Sequence, residues 1–137
     1  MSFTPLPVPP SAPRVVIVDA DRRVQQSLAD LLGMTGQVAV VGRAGDVRTA
    51  LEEVDRVHPD VVLVDPRLPD VEAGAALIAG MTRAWPDLRI VLTGMNDTEG
   101  HMQPVAAEAR YVSKGASPED FVAAIVAACG CAPDAPA

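Results

Sequence analysis

Apolar and polar positions along the chain switch between two periods. Val15-Val16-Ile17-Val18, Val38 to Val41, Val61-Val62-Leu63-Val64 and Ile90-Val91-Leu92 are short, mostly β-branched apolar runs. Such runs read as strands buried on both faces. Tyr111-Val112-Ser113 reads as a fifth, weaker strand. Between the strands the apolar spacing becomes helical. Val24, Leu28, Leu31 and Leu32 recur behind a cap at Asp21, with Gly33 and Gly36 ending that helix. Asp46 caps a helix with Val47, Ala50, Leu51 and Val54 on one face, broken at His58-Pro59-Asp60; His58 is a helix-end residue. Glu72 to Trp85 follows, with Leu77, Ile78, Met81 and Trp85 inward and Pro86 as the stop. After a polar stretch from Met95 to Gln103, the spacing predicts a short helix over Pro104–Ala109. Ser117-Pro118 then opens a helix that runs to Cys129.

Five strands alternating with five helices, joined by short connections, predict an α/β fold with helices on both faces of a parallel sheet. The pattern itself leaves the order of the strands open. Residues 1–13 hold five prolines and little that can pack, and read as a disordered tail. The folded domain is expected over 14–129, with a flexible tail over 130–137.

Composition narrows the function. Aromatic residues make up 3% of the chain, so the core has to be aliphatic. A net charge of −7 offers no basic face to nucleic-acid phosphates. No apolar run approaches a membrane span. No charged n-region leads into an apolar segment, so no signal peptide is expected, and the expected location is the cytoplasm. Cys129 and Cys131, one residue apart, build neither a disulfide framework nor a credible zinc site. Glycine-rich phosphate loops and Ser/His/Asp or Cys/His sets are absent, and His101 falls in the polar loop.

The chemistry lies at the strand ends. Four strands end on Asp19, Asp65, Thr93 and Lys114, the last being the only lysine in the chain. In a parallel sheet all four lie on one edge, where ligands bind. Two carboxylates offer hard oxygen ligands of the kind Mg²⁺ takes together with phosphate oxygens. A lysine is a point charge toward phosphate, and a carboxylate can be the nucleophile that receives a phosphoryl group. These parts describe an aspartyl-phosphate site: Asp65 attacks, Mg²⁺ and Lys114 neutralise charge, and Thr93 senses the product.

Asp19, the Asp65-x-x-Leu68-Pro69 motif, Thr93-Gly94 and Tyr111-Val112-Ser113-Lys114 resemble the receiver domain of two-component response regulators, over roughly Arg14 to Cys129. Lys114-Gly-Ala-Ser-Pro-Glu-Asp is most similar to receivers that precede LuxR-type helix-turn-helix domains. The resemblance implies a (βα)5 flavodoxin-like, doubly wound α/β fold with five parallel strands in order 2-1-3-4-5. It implies phosphotransfer from a histidine kinase to Asp65 and a switch through Thr93 and Tyr111. It implies a metal held by an acid pair after the first strand, the phospho-acceptor, and the backbone carbonyl of Arg67. It also implies a downstream output domain or protein as partner, and homodimerisation through the last strand and helix. Such a protein is a phosphoryl acceptor and not an enzyme, which leaves room for slow self-dephosphorylation.

Three features depart from the family pattern. The acid pair is Asp19-Ala20, with Asp21 as a substitute ligand only if its loop turns it inward. The glycine expected eight residues after Asp65 is Ala73, with Gly74 one place late. Gly100 and Pro104 interrupt the segment where the family has a regular fourth helix. The first departure predicts weak Mg²⁺ binding and supports an alternative, an atypical receiver-like interaction module acting with weak or no phosphorylation. A small phosphohydrolase using Asp65 would need a general acid where Arg67 stands. A flavodoxin would need a phosphate loop and stacking aromatics that are absent.

Overall fold

The computed structural model describes residues 9–94 and 110–130. Among them the chain forms β1 (Arg14–Val18), α1 (Arg22–Thr35), β2 (Ala39–Ala44), α2 (Val47–Val57), β3 (Val61–Val64), α3 (Val71–Ala84), β4 (Arg89–Gly94), β5 (Arg110–Ser113) and α4 (Pro118–Cys129). The helix expected over 104–109 lies outside the described residues.

All four strand pairings are parallel, as the strand pattern predicts, and the order is β2-β1-β3-β4-β5, as the receiver resemblance implies. The continuous apolar runs are explained by the two cores they serve. Val16, Val18, Val62, Val64, Ile90 and Leu92 face one way, against Ala50 and Val54 of α2 and Leu77, Ile78 and Met81 of α3. Val15, Ile17, Val61, Leu63, Val91 and Val112 face the other way, against Leu28 and Leu32 of α1 and Phe121 and Ile125 of α4. Successive strand residues point to opposite faces, so a strand covered on both sides needs every position apolar.

Most helix ends follow the expected chemistry. Asp21 accepts a bond from the Arg23 N–H and Asp46 one from the Thr49 N–H. The Ser117 hydroxyl accepts from the Asp120 N–H, with Pro118 opening the helix. His58 ends α2 with φ 49°, and the Arg14 guanidinium donates to the carbonyls of Val57 and His58 at 2.6 and 3.0 Å. That cation sits at the negative end of the helix dipole.

Several details differ from the sequence reading. Gly33 does not end α1: it lies buried inside the helix, and Gly36, at φ 64°, is the cap. Leu51 is exposed, because the buried stripe of α2 is as narrow as Ala50 and Val54. β2 extends to Ala44, since a bulge opposite Val15/Val16 lets the pairing resume beyond Val41. α3 begins at Val71 because Asp70, whose side chain accepts from the Ala73 N–H, is its cap. Cys129 is disulfide-bonded.

Candidate acidic site at the carboxyl edge of the sheet

The chain runs from β1 outward to β2 and then returns to β3 on the other side of β1. This is the topological switch point, where a crevice opens beyond the strand ends. Val18 pairs with Val64 and Val64 with Leu92, so Asp19, Asp65 and Thr93 are the next positions on three adjacent strands. The Asp65 N–H donates to the Val18 carbonyl at 3.0 Å and the Lys114 N–H to the Gly94 carbonyl at 2.8 Å. Backbone pairing therefore carries all four sequence-predicted residues to one edge.

The Lys114 ammonium lies 2.6 Å from Asp19 Oδ2 and 2.8 Å from Asp65 Oδ2. Burial disfavours the charged ammonium. Contact with Asp19 and then Asp65 outweighs it and holds the Lys114 pKa above the ordinary lysine value. The two contacts are not alike. Lys114 donates a well-aligned hydrogen bond to Asp65, whereas Asp19 Oδ2, fully buried, accepts no hydrogen bond of acceptable geometry. Its partner is the same ammonium, close in distance but poorly aligned. The other oxygen of each carboxylate accepts a backbone N–H: Asp21 to Asp19 Oδ1 and Arg67 to Asp65 Oδ1, both at 2.9 Å. Asp19 is 3% exposed, while the Asp65 side chain is 15% exposed. Of the two, Asp65 is the carboxylate that an incoming molecule can reach.

The donor set suits a hard cation. Two carboxylates share the edge, and the under-bonded, buried Asp19 Oδ2 is the kind of oxygen that a small divalent ion satisfies. Mg²⁺ needs only one or two carboxylates beside water and phosphate oxygens. Among the described residues no cluster of three or more His, Cys, Asp or Glu side chains is poised for a metal. Ala20 adds no carboxylate, and Asp21 is engaged as the α1 cap.

Thr93 is 1% exposed at the end of β4. Tyr111 pairs with Leu92 on β5, and its ring lies over Gly94 so closely that a Cβ there would meet the phenol oxygen. The structure thus places Thr93 and Tyr111, the two residues expected to form a switch, at the same strand ends. Gly74, the glycine that comes one place late, also has a purpose: a Cβ on it would overlap the Pro66 carbonyl. α3 therefore packs directly on the loop after Asp65.

Gln25 was not visible in the sequence as a site residue. It is 8% exposed, and its side-chain amide donates to the carbonyls of Asp19 at 2.7 Å and Ala44 at 3.2 Å. The available signal was a polar residue at an inward helical position, between Val24 and Leu28.

Comparison with known proteins identifies the family. The family model for the response regulator receiver domain matches residues 15–126. The DNA-binding transcriptional activator DevR/DosR of Mycobacterium tuberculosis is 38% identical over 103 residues, 74% of this chain and 47% of that protein. The oxygen regulatory protein NreC of Staphylococcus carnosus is 26% identical over 114 residues, 82% of this chain and 52% of that protein. The chain thus spans about half the length of these curated relatives. Among solved structures, the signal receiver domain of the response regulator NarL from Mycobacterium tuberculosis superposes with a TM-score of 0.69 at 26% identity, covering 88% of this chain and 98% of that one.

Proposed function

The chain belongs to the response regulator receiver domains, and we propose that within this family it accepts a phosphoryl group on Asp65 from a histidine kinase. The observation that carries the proposal is the Lys114 ammonium held between Asp19 and Asp65. A positive charge fixed there meets the oxygens of a transferring phosphoryl group without reorganising. One Asp65 oxygen attacks phosphorus, the bond from phosphorus to the donor breaks, and the electron pair leaves with the donor. Asp19, Asp65 and the Arg67 backbone carbonyl would hold Mg²⁺, which when bound supplies further positive charge to the phosphoryl oxygens. Thr93 is buried where its hydroxyl can follow the new group, and Tyr111 relays that change to the surface of β5. Any self-dephosphorylation is slow.

The partners are a histidine kinase upstream and an output domain or separate protein downstream, of the kind borne by the LuxR-type relatives, in the cytoplasm. The domain itself does not touch nucleic acid. No helix among the described residues is long and apolar enough to cross a membrane. The folded unit we propose is residues 14–129, and the disordered tail expected over 1–13 does not extend to its last residues: Ala12 and Pro13 are buried, and the Ala39 N–H donates to the Pro13 carbonyl at 2.9 Å. An interaction module independent of phosphorylation is the weaker reading, since it leaves the convergence of Asp19, Asp65 and Lys114 without a purpose.

A time course with acetyl phosphate, with and without Mg²⁺, tests the proposal. Phosphoryl uptake is expected to need Mg²⁺ and to fall at least tenfold in Lys114→Met. Uptake indifferent to both would contradict it.

A further inference from the structure

Asp19 has to work without the neighbouring acid that Ala20 replaces, so whatever aims its carboxylate matters more here. Its backbone is held at both ends. The Asp19 N–H donates to the Ala44 carbonyl at 3.0 Å. The Asp19 carbonyl accepts the Gln25 amide at 2.7 Å, and the same amide nitrogen reaches the Ala44 carbonyl at 3.2 Å. A primary amide carries two N–H donors, and both are engaged. One buried side chain on the first turns of α1 thereby joins the end of β1, the end of β2 and the start of α1. Gly45 makes room for it, since a Cβ there would stand 3.3 Å from the amide nitrogen.

We infer that Gln25 is a positioning residue for the acidic site: its amide fixes the Asp19 peptide, and so sets the aim of the Asp19 carboxylate at Lys114 and at a bound divalent cation. It touches neither the phosphoryl group nor the metal. Its action runs through one peptide unit. Without the amide, the Asp19 and Ala44 carbonyls lose a shared donor, and the peptide after Asp19 loses the side-chain anchor on its carbonyl. The Asp65 carboxylate, tied to the Arg67 N–H and to Lys114, stays where it is. This inference rests on the reading of the edge as a phospho-acceptor site, but its first readout does not depend on phosphorylation.

Because Lys114 is the only lysine, ¹⁵N-lysine labelling gives one side-chain signal, and protection of that ammonium from solvent exchange reports its contact with the carboxylates. Gln25→Met keeps an unbranched side chain with good helix propensity and deletes the donor. Gln25→Arg restores donors on a longer arm. Gly45→Ala crowds the amide without touching α1. The expected result is a protected Lys114 signal in wild type, reduced protection in Gln25→Met as the Asp19 contact weakens while the Asp65 bond remains, a smaller reduction in Gly45→Ala, and recovery in Gln25→Arg. Calorimetric Mg²⁺ affinity should follow the same order, with about a tenfold loss in Gln25→Met. If Gln25→Met does not fold, Gly45→Ala alone decides between loss and no change. A Lys114 signal and Mg²⁺ affinity equal to wild type in the donor-deleted or crowded variant would overturn the inference. Loss of Lys114 protection in a protein whose wild type takes no phosphoryl group would uphold it and count against the phospho-acceptor reading instead.

Discussion

At the scale of single residues, the site was legible where chemistry coincides with the end of an apolar run. Asp19, Asp65, Thr93 and Lys114 each stop a strand, and parallel pairing alone carries them to one edge. Gln25 and Asp70 were not legible: one is a polar residue inside an apolar helical face, the other an acid among several in a loop, and only three-dimensional contact separates them from solvated neighbours. The gap at Ala20 has a calculable consequence. Two unit charges 4 Å apart interact by about 4 kcal/mol at an effective dielectric near 20. Desolvation of a second carboxylate and its repulsion from Asp19 and Asp65 offset much of that. Ala20→Asp should therefore tighten Mg²⁺ by roughly one to two factors of ten, at about 1.4 kcal/mol each, in a calorimetric titration; unchanged affinity would show that the gap is filled by another ligand. Asp21 is the candidate for that role, yet its side chain accepts the Arg23 N–H. Asp21→Ala is expected to cost about 1 kcal/mol of stability in urea unfolding, as loss of a helix cap does, and to leave Mg²⁺ affinity unchanged.

At the scale of elements, strand and helix identity followed from apolar period, while boundaries moved with features that period does not encode. The bulge between β1 and β2 carries β2 past Val41, and Asp70 starts α3 one residue early. The late glycine is a packing device: Gly74 lets α3 lie on the Pro66 carbonyl. Gly74→Ala should lower stability by about 1–3 kcal/mol through overpacking, and should slow phosphorylation by displacing the loop that carries Arg67; a variant as stable as wild type would refute the close approach. α4, with no charged residue from Phe121 to Cys129, buries Phe121, Val122 and Ile125 and leaves Ala123 and Ala127 exposed. Homodimerisation through β5 and α4 is our proposal for that remaining face. Sedimentation should show a concentration-dependent dimer that Val126→Arg weakens, and a strict monomer at high concentration would exclude it.

At the scale of the whole molecule, a sheet buried on both faces supports a charged edge that is its most polar part, and pH acts on the two ends of that balance. Lys114 titrates above the ordinary lysine value near 10.4. Its stabilising contact is therefore complete below about pH 10 and is lost as pH rises through the folded-state value. Asp46, bonded first to the Thr49 hydroxyl and then to the Thr49 N–H, and Glu53, bonded to Arg56, titrate below the usual carboxylate range. Their contributions are present above about pH 4 and are lost as pH falls through the lower folded-state values. Thermal denaturation should trace a plateau between these limits, and Lys114→Met should abolish the alkaline limb. The family was legible from the order and spacing of its strand-end residues, because that order is the topology written out once. The assignment of Asp65 as acceptor is the claim on which the rest depends. Intact mass after incubation with Mg²⁺ and acetyl phosphate measures it directly: wild type should gain one phosphoryl group of about 80 Da and Asp65→Asn none, whereas a gain that survives in Asp65→Asn, or that maps to Asp19 or Ser113, would contradict the account.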